Sequence, residues 1–212
     1  LFMASNQLPK TKRNLIVSVM LISAFVAILN QTLLNTDLPH IMRELKINEN
    51  TSQWLITGFM LVNGVMIPLT AYLMDKVKTR PLYLAAMGTF LLGSIIAALA
   101  PNFGVLMTAR VIQAMGAGLL MPLMQFTLFT LFSREHRGFA MGLAGLVIQF
   151  APAIGPTFTG LIIDNASWRV PFIVIVGIAL IAFIFGFISI SSYNTTKDTT
   201  LDKRSVVYST VG

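Results

Sequence analysis

Residues 14–36, NLIVSVMLISAFVAILNQTLLNT, contain no Asp, Glu, Lys or Arg. Coiled as an α-helix at about 1.5 Å per residue, such a stretch is long enough to cross the ~30 Å hydrocarbon core of a bilayer. Five more uncharged stretches follow, at 50–74, 81–109, 111–133, 138–163 and 170–196, all rich in Leu, Ile, Val, Phe, Met and Ala. The spacing predicts six transmembrane helices, over 15–38, 52–74, 82–100, 105–130, 139–163 and 170–191. Soluble core helices do not recur at this length six times over, and the runs lack the two-residue alternation of lipid-facing barrel strands. The expected fold class is all-α, a polytopic membrane bundle.

Composition agrees. Of 212 residues, 55% are hydrophobic and 11% charged, with a mean hydropathy of +0.77. A soluble domain carries roughly a quarter charged residues. A disordered chain is excluded, and with no cysteine so are a disulfide scaffold and a thiolate metal site. The net charge of +7 would suggest a nucleic-acid partner in a polar protein, but here it reports topology. Lys10, Lys12 and Arg13, then Lys76, Lys78 and Arg80, then Arg134 and Arg137, then Lys197, Lys203 and Arg204 all fall on one side of the predicted spans. Only Arg43, Lys46 and Arg169 fall on the other. The positive-inside rule therefore puts both termini in the cytoplasm and the chain in the cytoplasmic membrane. Nucleic acid is dropped as a partner, and the lipid bilayer takes its place.

The expected layout is a cytoplasmic tail over 1–13, a six-helix bundle over 14–192 and a cytoplasmic linker over 193–204. Residues 205–212, SVVYSTVG, turn apolar after a basic cluster and read as the opening of a truncated seventh helix. The first apolar run is too long for a cleaved signal peptide, and no small-residue cleavage site ends it.

Arg110 is the one charge expected well inside a span, about 9 Å deep at the helical rise. A buried charge there needs a partner or a cavity, so it is a candidate functional residue; a structural arginine snorkelling outward is the alternative. The outer half of helix 1 carries Asn30, Gln31, Thr32, Asn35, Thr36 and Asp37, with Asn30 and Asp37 on one face. Helices 1 and 4 are expected to face each other across a polar cavity lined by Asn30, Gln31, Asn35 and Gln113. Gln149 and Gln125 extend it, although each Gln could equally serve an interhelical hydrogen bond.

Several motifs then converge. The 2–3 loop, Ala71-Tyr-Leu-Met-Asp75-Lys76-Val-Lys78-Thr-Arg80, resembles the major facilitator superfamily signature G-x-L-a-D-r-x-G-r-k, with Ala71 and Lys78 where glycine is usual. Helix 4, Leu106 to Ala117, resembles the l-x-x-x-R-x-x-q-G-x-g-a motif through Arg110 and Gln113. Helix 5, from Gly142 through Ala151-Pro-Ala-Ile-Gly155-Pro156-Thr-Phe-Thr-Gly160, resembles the antiporter motif G-x8-G-x3-GP-x2-GG. Ser167-Trp168-Arg169 resembles S-W-R-w-i-F of the same group, and Leu29 to Pro39 resembles l-D-x-T-i-v-N-v-A-L-P of the fourteen-helix drug:proton antiporters. Within that family the likeness is greatest to lincomycin-resistance-type multidrug exporters.

The resemblance implies one half of a transporter, a 3+3 inverted repeat whose substrate site lies at the midplane against a missing C-terminal half. It makes Asp75, Lys76 and Arg80 a conformational gate, Gly142, Gly155, Pro156 and Gly160 an antiporter motif, and lipophilic drugs and protons the transported partners. A non-transporting half that must pair with a second chain, and a facilitator or symporter, are the alternatives. Antiport needs a group that takes up a proton or a cation in turn, and a carboxylate in a low-dielectric site serves. Asn30 stands where the family has its membrane acid and cannot titrate; Asp37 stands where it has alanine. Asp37 is therefore expected to carry the proton with Arg110 tuning it, the alternatives being a rim residue beside Pro39 or an acid in the other half. No G-x4-G-K-[ST] phosphate loop occurs, and His40 and His136 lack a second ligand. The expectation is a non-enzyme without metal or cofactor.

Overall fold

The computed structural model describes residues 9–163 and 167–190, leaving aside the side chains of 158–163. The helices are α1 (Lys10–Leu45), α2 (Glu49–Lys76), α3 (Thr79–Ala98), α4 (Phe103–Leu131), α5 (Arg137–Ile163) and α6 (Arg169–Ser189), with no strand among the described residues. All six are long and apolar enough to cross a bilayer, so this is an all-α, multi-pass membrane protein. Residues 1–8 of the expected tail over 1–13, the linker over 193–204 and the seventh helix over 205–212 lie outside the described residues, and α1 takes in the tail from Lys10.

The expected spans match these helices to within three residues at most ends; α1 is the exception, beginning at Lys10 and ending at Leu45 rather than spanning 15–38. Pro39 does not stop it, because an interior proline removes only one helical donor, here the one facing the Asn35 carbonyl. The helix ends where Lys46 turns left-handed at φ 53°, with Ile47 N–H closing on the Met42 carbonyl at 3.2 Å. Side-chain caps start two others. Asn48 accepts from Thr51 N–H at 2.8 Å and Asn102 from Val105 N–H at 3.0 Å.

Successive helices alternate in direction, so the start of α1, the 2–3 loop and the 4–5 loop share one end, the basic end. Two contacts tie that end together. Arg13 lies over the Phe132 ring at 5.0 Å, joining α1 to the end of α4, and Arg80 donates to the Phe187 carbonyl at 2.9 Å, joining α3 to the end of α6.

Packing follows a rule of exchange. α1 packs on α5, α6, α4 and α2, whereas α4 packs on α2, α3, α1 and α5. Replacing α1–α3 by α4–α6 maps every one of these contacts onto another, and α2 against α3 onto α5 against α6. Because α1 and α4 start at opposite ends, the two triplets form an inverted repeat with α1 and α4 at its centre.

The α3–α4 contact is the closest, and glycine makes it so. A Cβ on Gly116 would sit 2.5 Å from the Ala86 carbonyl oxygen and 2.6 Å from Phe90 N; one on Gly93 would sit 2.7 Å from Gln113 N. Those neighbours are backbone and cannot rotate away. Gly116→Ala should therefore force α3 off α4 and cost about 2 kcal/mol of stability, read as a lower midpoint of thermal unfolding in detergent. An unchanged midpoint would contradict this packing.

Candidate functional site

Arg110 and Gln113 stand one turn apart on α4, and both are fully buried. An arginine cannot shed its charge inside a protein, so its solvation has to be built from the surrounding helices. Arg110 Nη1 donates to Gln113 Oε1 at 2.9 Å, and Nε donates to the Leu55 carbonyl of α2 at 3.3 Å. The guanidinium carbon lies 4.1 Å from the centroid of the Phe59 ring, one turn along α2. Gln113 Nε2 in turn donates to Ser94 Oγ of α3 at 3.0 Å and to Asn30 Oδ1 of α1 at 3.4 Å. Four helices thus converge on one cation. Among the described residues, Arg110 Nη2 and Asn30 Nδ2 are buried and have no hydrogen-bond partner.

Asp37 makes a second buried site on α1. Its side chain is 1% exposed, and among the described residues neither carboxyl oxygen accepts a hydrogen bond. It lines a crevice between α1 and α6 with Asn30, Leu33, Leu34, Pro171, Phe172 and Ile175, and the crevice has no room for a water molecule. Among the described residues the ionisable group beside it is His40, whose Nδ1 is 3.6 Å from Asp37 Oδ1. Arg110 is not ion-paired with Asp37: it faces Gln113, Leu55 and Phe59 instead. The expected tuning of Asp37 by Arg110 therefore has no direct contact behind it. Among the described residues the two groups are connected through Asn30, which borders the Asp37 crevice and accepts from Gln113.

The expected polar cavity between α1 and α4 is displaced rather than absent: it keeps Gln31 and Gln125 but not Asn30 and Gln113. Asn30 and Gln113 touch, so that space is closed. An open cleft of about 380 Å³ lies instead among α1, α2 and α4, lined by Ala27, Ile28, Gln31, Phe59, Asn63, Ile67, Ala117, Met121, Pro122 and Gln125. Of the five residues assigned to a substrate cavity, Gln31 lines the cleft, Asn30 and Gln113 belong to the Arg110 cluster behind it, and Asn35 and Gln149 are exposed elsewhere. Phe59 is shared, carrying the cluster on one side and lining the cleft on the other. Sequence reasoning missed Asn63, although an amide inside an apolar run was a usable signal. The Leu55 carbonyl and the Phe59 ring left no such signal.

The remaining motif residues scatter. Arg80 stacks on the Phe187 ring at 5.3 Å as well as bonding its carbonyl, Asp75 is exposed and Lys76 half-buried. In α5, a Cβ on Gly155 would collide with the Thr32 side chain of α1, whereas one on Gly142 would meet nothing within 4 Å. Gly155 is therefore a packing position in this bundle and Gly142 is not. Pro156 is exposed, and the side-chain surroundings of Gly160 lie outside the described residues. At the end away from the basic loops, Arg169 pairs with Glu44 of α1 and donates to the Ala100 carbonyl at 2.9 Å.

A family model described as Major Facilitator Superfamily matches residues 20–208. The chain belongs to this superfamily. It is 52% identical over 200 residues to the uncharacterized MFS-type transporter YcnB of Bacillus subtilis, covering 94% of this chain and 42% of that protein. It is 40% identical over 193 residues to the lincomycin resistance protein LmrB of the same organism, covering 91% of this chain and 40% of LmrB. The chain thus spans less than half the length of these relatives. Among solved structures, the human organic anion transporter MFSD10 superposes with a TM-score of 0.75 at 16% identity, covering 95% of this chain and 54% of that one, a likeness of fold. The chain is thus a membrane-spanning bundle from a superfamily of transporters.

The Arg110 cluster predicts its own weakness. Gln113→Leu removes the acceptor of Arg110 Nη1 and the donor to both Ser94 and Asn30 while keeping the volume. It should cost about 1–3 kcal/mol, because the buried cation loses one of its two hydrogen bonds and nothing replaces it. Thermal unfolding should show a lower midpoint, whereas Asn35→Leu at an exposed position should leave it within error.

Proposed function

We propose that the chain is the N-terminal bundle of a secondary multidrug exporter, which exchanges lipophilic drugs for protons across the cytoplasmic membrane with its basic end in the cytoplasm. The observation that carries this reading is the buried Asp37 carboxyl, which has no hydrogen-bond partner among the described residues and sits in a crevice closed to water. An unpaired carboxylate in such a place is costly, and a proton removes the charge. Asp37 is thus suited to hold a proton in one conformation and release it in another.

Drug binding is assigned to the cleft among α1, α2 and α4, within the size range of small-molecule sites. Its wall combines Ile28, Phe59, Ile67 and Met121 with the amides of Gln31, Asn63 and Gln125, and carries no charge. Such a wall takes up apolar bodies of varied shape, since methionine adapts and amides bond in either sense. The likeness to LmrB, a lincomycin resistance protein, supports an export role here. The Gly155–Pro156 pair, matching the antiporter motif, favours exchange over symport. Asp75, Lys76 and Arg80 are assigned to the gate, with Arg80 holding α6 and exposed Asp75 left to meet a second bundle.

Since the chain covers 42% of YcnB, exchange is assigned to this bundle together with a C-terminal one. Co-expression with the C-terminal half of such a relative should give drug-dependent proton movement in everted membrane vesicles. The chain alone should give none. Asp37→Asn should abolish the exchange while binding of drug persists; unchanged exchange would remove Asp37 from the mechanism. Gln31→Ala together with Asn63→Ala should instead weaken drug binding several-fold and leave proton-dependent turnover at saturating drug close to normal.

A further inference from the structure

Asp37 has to exchange protons with water if it is to carry them, yet nearly every wall of its crevice is closed to that traffic. Leu33, Leu34, Phe172 and Ile175 are apolar, and toward the bundle centre the next polar groups are the amides of Asn30 and Gln113. An amide does not titrate near neutral pH, so protons do not pass inward through that pair to Arg110. One neighbour is different. His40 lies three residues along α1, with Nδ1 3.6 Å from Asp37 Oδ1 and its side chain 47% exposed, against 1% for Asp37. A single imidazole therefore spans the boundary between a dry carboxyl and the aqueous surface.

We propose that His40 is the proton relay of Asp37, connecting its crevice to the surface at the end away from the basic loops. This rests on the reading of Asp37 as proton carrier. The separation is just beyond hydrogen-bonding distance, and a small turn of the ring closes it. With the neutral ring protonated on Nδ1, a proton from water adds to Nε2. The Nδ1 proton then passes to the Asp37 carboxylate, leaving a neutral carboxylic acid and a ring protonated on Nε2. Rotation of the exposed ring, a motion of nanoseconds or less, re-presents a protonated nitrogen to the carboxyl. The reverse sequence discharges Asp37 through Nε2. Each pass moves one proton and leaves His40 neutral.

The charged groups around this pair do not compete for the role. Glu44, four residues beyond His40 on the same helix, is held by Arg169 of α6. Arg43 lies six residues beyond Asp37 on α1, and Lys46 follows the end of that helix. Arg110 of α4 is engaged by Gln113 and Leu55, Glu49 opens α2 beyond the loop, and among its described residues α5 carries a charge only at Arg137, at the basic end. Among the described residues, His40 is the ionisable group that both lies against Asp37 and reaches solvent.

The relay can be timed directly in the 212-residue chain in lipid nanodiscs. A light-released proton pulse is followed by the infrared carbonyl band of the protonated carboxyl, assigned to Asp37 by its loss in Asp37→Asn. In His40→Ala and His40→Gln the rise of that band should slow at least tenfold with its final amplitude kept. Free imidazole in the buffer should restore the rate in His40→Ala, which no purely structural role of the ring would allow. An unslowed rise in both variants overturns the relay and leaves the Asp37 reading standing. Absence of any pulse-dependent band that Asp37→Asn removes overturns both.

Discussion

A guanidinium that keeps its proton everywhere has to be solvated wherever it is buried, and Arg110 is buried completely. No single helix can do this, because helical donors and acceptors are already committed within their own ladder. The cation therefore draws on α2 for a carbonyl and a ring face, on its own helix for the Gln113 amide, and through that amide on α1 and α3. The close α3–α4 approach at Gly93 and Gly116 is part of the same requirement. Gly93 packs against the Gln113 backbone, and Ser94 beside it receives the Gln113 amide. A larger residue at either glycine would lengthen a bond that the cation indirectly needs.

The inverted repeat explains why α1 and α4 carry the polar residues. Each packs against four helices, one of them its own exchange partner, so each sits toward the centre of the bundle. Intramembrane amides and charges are tolerated in such central positions and not on the lipid face. By contrast α2, α5 and α6 leave Trp54, Leu61, Phe150, Phe185 and Ile188 exposed, as apolar helices bordering lipid or further protein can.

Spans were readable because a bilayer imposes a minimum uncharged length, and six gaps meet it with loops between. The helix ends of α1 were less so, since Pro39 falls where the helix has turns enough on both sides to survive the loss of one bond. Rotation about each helix axis was hardest to read. Helices apolar on most sides give little contrast between faces, so the phase is set by a few polar residues. That reasoning worked for Arg110, Gln113 and Asn30, which share one cluster. It failed for Asn35 and Gln149, which are exposed, because a lone amide in a span can face any solvent-accessible surface. The Leu55 carbonyl was illegible in principle: every residue has one, and only the fold selects which is reached.

What separates Asp37 from Arg110 is as informative as what holds each. The amides of Asn30 and Gln113 lie between them, and amides transmit hydrogen-bond direction but not protons. Were aspartate at position 30, a titrating group would contact the cation cluster through Gln113, and a proton gained there would be felt by Arg110 at once. With asparagine at 30 and aspartate at 37, the acid is moved two turns along α1, out of contact with the guanidinium and next to a histidine. On the proposed role of Asp37, a charge change there acts first on the α1–α6 crevice and on His40, and reaches α4 through the orientation of Asn30. Any coupling of protonation to the cleft must therefore be mechanical, a shift of α1 against α6 that moves Asn30 and, one residue on, the cleft-lining Gln31.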